Sequence, residues 1–96
     1  MTAAYYESAT GIVTIIWSEP IQTGTLTAAN WRGRYGDLAV TWLTAKALPG
    51  YISLTGGTPG APDVGPPHLW YSAAVPDVLS MTGTPAPAQD IALTVI

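Results

Sequence analysis

The chain predicts an all-β fold in two packed layers, and three observations carry that prediction. Apolar residues recur at two-residue spacing in short runs, and no stretch sustains a helical period. Thr, Val, Ile, Trp and Tyr fill these runs, and all of them suit a pleated, half-buried surface. Ten Gly and nine Pro interrupt the pattern too often for long helices.

Strands are expected at about 3–8, 11–18, 26–32, 37–44, 50–55, 68–75, 78–83 and 90–96. The first holds the adjacent pair Tyr5 and Tyr6, of which a strand must turn one outward. The second sets Val13, Ile15 and Trp17 on one face. Ile12 and Ile16 then share the other face with only Thr14 between them. That leaves apolar side chains on both sides of one strand. Pro20 cannot donate to a ladder, so pairing should end there, and Thr23-Gly24-Thr25 has turn chemistry. Asn30 is placed to bond its own backbone just before Trp31 enters the core.

"LAVTWL" alternates Leu38, Val40 and Trp42 against Ala39, Thr41 and Leu43. Residues 55–67, "TGGTPGAPDVGPP", have no period and form an expected loop of a length that is uncommon inside a domain. Pro59, Pro62, Pro66 and Pro67 restrict it in the unfolded chain, which favours a defined extended shape. The 68–75 run carries a second adjacent aromatic pair, Trp70 and Tyr71. "TPAPAQ" at 84–89 leads into a last strand that sets Ile91, Leu93 and Val95 against Ala92, Thr94 and Ile96. Trp17, Trp31 and Trp42 are the expected core rings. Seven to eight such strands in one 96-residue domain, 1–96, fit an immunoglobulin-like sandwich. A jelly roll or small β-barrel is the alternative.

Composition narrows the function. Hydrophobic residues make up 48% and charged residues 9%, against about 25% charged in an ordinary globular domain. Few charges remain to keep copies apart, so part of the surface is expected to be covered. Net charge is −3, and Arg32, Arg34 and Lys46 are the only permanent cations. Three cannot supply a phosphate-backbone interface or a polybasic membrane patch, so neither nucleic acid nor membrane is expected as a partner. Without Cys there is no disulfide, thiolate metal site or cysteine nucleophile. "MTAAYYESATG" lacks the basic and apolar regions of a secretory leader, and no apolar run approaches the roughly 18–20 residues of a span. Synthesis in a cytoplasm is the expectation.

Catalytic constellations are absent from the pattern. His68 is the only histidine, so a His-rich metal site is excluded. Glu7, Glu19, Asp37, Asp63, Asp77 and Asp90 are dispersed, mostly at expected turns and strand ends, and Asp37 and Asp77 look like turn residues. Nothing in their spacing marks an acid–base pair. "GGTPG" at 56–60 lacks the Lys and helix of a phosphate loop. No enzyme activity, cofactor or metal is expected.

The segment "VTIIWSEPIQTGTLTAANW", residues 13–31, resembles the second strand and following turn of bacterial and phage Ig-like domains. The likeness is to the surface-layer and adhesin type, and it rests on Val13, Ile15, Trp17, Ser18-Glu19-Pro20, Thr25-Leu26 and Asn30-Trp31. It implies a spacer, an adhesive unit or a decoration protein. Some members use an acidic residue at the position of Glu19 for Ca²⁺. Here Gln22, Thr23 and Asn30 cannot make up the usual six to eight or so oxygen ligands.

The expected function is therefore a non-enzymatic structural module, most concretely a phage virion protein that decorates the capsid or attaches to the tail. Localisation to the virion follows, with the bacterial cell surface as the alternative. Its partners would be copies of itself, as a homo-oligomer, or a major capsid or tail protein. Ile12 and Ile16, the outward members of Tyr5/Tyr6 and Trp70/Tyr71, and Arg32 with Arg34 are the candidate contacts. The competing function is a carbohydrate-binding module that stacks a sugar on Trp70 or Tyr71. Against it, the 68–75 run offers few polar companions beyond His68 and Ser72.

Overall fold

Alternation becomes strand wherever a large apolar side chain can be buried on one face. A computed structural model describes residues 1–96 and contains no α-helix. Its strands are β1 (Ala3–Glu7), β2 (Ile12–Ile16), β3 (Gly24–Leu26), β4 (Trp31–Tyr35) and β5 (Leu38–Thr41). They continue as β6 (Thr44–Leu48), β7 (Tyr51–Thr55), β8 (Thr58–Pro62), β9 (His68–Tyr71) and β10 (Gln89–Val95). The protein is all-β, with ten strands rather than seven or eight.

The strands form one curled sheet in the order β3-β6-β7-β2-β1-β10-β9-β4-β5-β8. Its hinge is β1, which pairs antiparallel with β2 and parallel with β10. The two arms fold over a shared core, in which Val13, Ile15, Ile52 and Leu54 come from one arm and Trp31, Val40, Leu69 and Tyr71 from the other. Trp17, Trp31 and Trp42 all lie in that core, as their positions in the pattern predict. The outer edges are poor templates for further pairing. β3 is three residues long, and β8 carries Pro59 and Pro62.

Several boundaries differ from the sequence expectation. The 26–32 run is interrupted by a 3-10 turn at Ala28–Asn30. The 37–44 run ends at Thr41, and the chain then crosses at Trp42 to start β6, which the pattern did not reveal. β6 buries only Ala45 and Ala47, so its inward face is too small to stand out. The 55–67 loop contains β8, whose five residues are all exposed and so leave no hydrophobic signal. The 78–83 run makes only the isolated bridges Ile21↔Ser80 and Leu79↔Pro85. Asp37 is a turn residue as expected. It follows Gly36 in the two-residue β4–β5 loop, and both have φ of 60°, as the hairpin twist demands.

Tyr6 stacks on Tyr35 with ring centroids 4.0 Å apart, which ties β1 to β4. Burial, reinforced by the adjacent Tyr6 phenol, pushes the Tyr35 hydroxyl up to about 12. In the unfolded chain it would ionise near 10, so from there upward the unfolded state binds fewer protons. Stability is therefore expected to hold below about pH 10 and fall as the pH rises toward about 12. Thermal melts across that window check this, and Tyr35→Phe should flatten part of the decline.

Candidate functional site

The outer surfaces of the two arms carry different chemistry. On the arm β6-β7-β2-β1, register sets Leu48 opposite Tyr51, Tyr51 opposite Ile16 and Ile16 opposite Ala3. Ile16 and Tyr51 are each 37% exposed, and Leu48 is half-buried. The next outward row is polar at its centre: Tyr5 lies opposite Thr14, Thr14 opposite Ser53, and Ser53 opposite Lys46. A third brings Ile12, half-buried, beside Glu7. A shallow depression of about 350 Å³ runs along Thr25, Lys46, Leu48 and Ser53. This surface is an apolar row with Lys46 on one margin and Glu7 on the other.

On the arm β10-β9-β4, register sets Asp90 opposite Trp70 and Trp70 opposite Arg32. His68 and Arg34 are also cross-strand neighbours. The Arg32 guanidinium carbon lies 4.8 Å from the Trp70 ring centroid and that of Arg34 lies 5.3 Å away. The His68 ring sits 4.7 Å from the Trp70 ring. His68 Nε2 is 3.0 Å from Asp90 Oδ1. Arg34 donates to Asp63 Oδ1 at 3.2 Å and to the Pro66 carbonyl at 3.0 Å, which straps the proline-rich 63–67 segment to β4. Arg32 differs from both. It is exposed and has no carboxylate or hydrogen-bond partner. A depression of about 450 Å³ opens beside it, lined by Asn30, Arg32, Trp70, Ser72, Gln89 and Asp90 among others.

The two aromatic pairs resolve in the same sense along their strands, the first member outward and the second inward. Tyr5 faces out at 38% exposure, while Tyr6 turns inward onto Tyr35. Trp70 faces out, and Tyr71 is buried at 1%, so Tyr71 offers no contact surface for a partner or a sugar. The physical reason is register: Tyr71 pairs with Trp31 and packs on its ring at 4.7 Å. The Tyr71 hydroxyl reaches Asp77 and accepts the Val78 N–H, and burial pushes its pKa up.

Asp77 does more than form a turn. Its carboxylate accepts from the Thr27 N–H, the Asn30 side-chain amide and the Tyr71 hydroxyl. Asn30 thus bonds Asp77 rather than its own backbone. Asp77→Ala is expected to cost about 1–3 kcal/mol, because three donors lose one acceptor. Urea denaturation beside wild type measures it.

Sequence reasoning missed Tyr51 and Leu48. The signal was present: "LPGY" places them on either side of a two-residue loop, which pairs them across a hairpin. No three His, Cys, Asp or Glu side chains converge on a point that could hold a metal. No protein-family model, curated protein or solved structure matches the chain.

Proposed function

We propose that the chain is a non-enzymatic structural module that packs against other subunits through the outer face of β6-β7-β2-β1. Its most concrete form is an immunoglobulin-like decoration or tail-associated protein of a phage virion. Strand order supports the immunoglobulin-like assignment. One arm runs β1-β2-β7-β6 and the other β4-β9-β10, which parallels the ABED and CFG sheets of that fold. The three remaining strands extend this frame: β3 lies beyond β6 on the first arm, and β5 and β8 lie beyond β4 on the second. The likeness of residues 13–31 to phage and bacterial Ig-like domains and the scarcity of charge support the virion setting.

The observation that carries the assembly role is the Ile16–Tyr51 pair, adjacent in register and each 37% exposed. Full burial of a large apolar side chain stabilises by about 1.5–3 kcal/mol, and roughly a third of that remains for each to gain. Two residues alone cannot hold a dimer. The whole face must contribute, and repeated copies on a particle would multiply a weak contact. A second copy suits this face. A two-fold axis along the strands, midway between β7 and β2, sets Ile16 against Tyr51 of the other copy. The same operation brings the Lys46 margin toward the Glu7 margin.

Sedimentation velocity over a concentration series tests this. Wild type should self-associate or co-sediment with particles, and Ile16→Asp should do neither. Lys46→Glu should weaken association, with Glu7→Lys restoring it in the double variant. A wild type that stays monomeric and binds no particle overturns the assignment.

A further inference from the structure

We infer that the depression beside Trp70, on the outer face of β10-β9-β4, is a binding site for a carboxylated sugar, with Arg32 as its anion-reading group. This concerns the arm opposite the assembly face and stands whether or not that face dimerises.

The groups that ring Trp70 divide into those already satisfied and those left free. Arg34 is neutralised by Asp63 and holds the Pro66 carbonyl. His68 engages one Asp90 oxygen. Three groups have no partner of their own: the Arg32 guanidinium, the second Asp90 oxygen and the Ser72 hydroxyl. All three residues line the depression. Stacking on Trp70 holds the guanidinium against a flat surface, which leaves its N–H fork to meet a planar carboxylate with two parallel hydrogen bonds. The half-buried indole keeps part of its ring open beside the guanidinium, apolar area for the C–H edge of a sugar. The Asp90 carboxylate can accept from hydroxyls, and the Ser72 hydroxyl can accept or donate. Flat apolar area, one free cation and flanking hydroxyl-binding groups match a sugar acid.

Other ligand classes fit less well. A phosphorylated or sulfated chain presents dense negative charge, and only one unpaired cation faces it, with Asp90 nearby. An extended peptide would seek an open strand edge, yet β4, β9 and β10 are each paired on both sides. The volume, about 450 Å³, falls in the range of small-ligand sites.

Titration calorimetry of the whole protein with trigalacturonic acid and with its methyl ester isolates the carboxylate, since the ester keeps the ring and hydroxyls. Sialyllactose against its methyl ester repeats the contrast on a second acid. The acid forms should bind about tenfold or more tighter than their neutral counterparts. Arg32→Gln should bring the acid down to the ester's affinity and leave the ester unchanged. Because Arg32 is exposed and its one partner is the Trp70 ring, with no hydrogen bond or ion pair, that variant should fold and melt close to wild type. Trp70→Ala should abolish binding of both forms, and Trp70→Tyr should retain part of it. Equal affinity for acid and ester, an Arg32→Gln variant that binds the acid undiminished, or silence toward every sugar overturns the inference. So does preferential binding of a sulfated dextran or of an acidic peptide.

Discussion

Trp31→Ala is expected to remove about 3–5 kcal/mol of stability, a large part of the margin a domain this small possesses. Trp31 is 1% exposed and sits where the two arms of the sheet meet. Its ring lies tilted against Tyr71 at 4.7 Å, and Tyr71 in turn meets Trp17 edge-on at 6.5 Å. Truncation opens a cavity at the centre of this aromatic stack. The neighbours cannot collapse into it freely, because the Tyr71 hydroxyl is held at Asp77 and Val78. Trp31→Phe should cost far less. It keeps a ring in the stack, and the indole N–H that it deletes has no acceptor in the protein. Urea denaturation midpoints of the two variants beside wild type give the comparison. Equal losses would show that the indole shape, rather than the presence of a ring, holds the arms together.

How far the fold was legible depended on how much each strand buries. Val13 and Ile15, Ile52 and Leu54, and Leu93 sit inward as simple alternation predicts. β6 and β8 escaped because alternation is visible only when the inward residues are large. Ala45 and Ala47 are small, and β8 buries nothing. The adjacent pairs were ambiguous for a different reason. Spacing says that one member of Tyr5/Tyr6 and of Trp70/Tyr71 faces out, but only the ring stack of Tyr6 on Tyr35 and the register of Tyr71 with Trp31 select which. The surroundings of Trp70 were least legible. Its own strand supplies only His68, while Arg32 and Asp90 arrive from β4 and β10, which are far away along the chain. A polar frame for an aromatic in a sheet is a property of cross-strand neighbours, and linear proximity does not report it.

Gly33→Val is the second large effect, and it probes how the chain crosses between the arms. Gly33 is buried in β4, between Leu69 on β9 and Val40 on β5. Trp42, the residue at which the chain leaves β5 for β6, folds back so that its ring lies directly over Gly33. A Cβ on residue 33 would fall within the contact radius of the Trp42 Cη2 atom. That ring is 5% exposed and confined, so it cannot swing aside without moving the crossover. Overpacking of this kind costs about 1–3 kcal/mol and occasionally more, and the branched valine should fall at or above the upper end. The backbone angle at Gly33 is not in the left-handed region, so the loss is steric and not conformational. A double-mutant cycle separates the two causes. Trp42→Leu alone should destabilise by leaving a void, whereas Gly33→Ala combined with Trp42→Leu should cost clearly less than the sum. A coupling of about 0.5–3 kcal/mol is the signature of residues in direct contact. Strict additivity would mean that the Trp42 ring does not rest on β4, and the bend joining the two arms would need another origin.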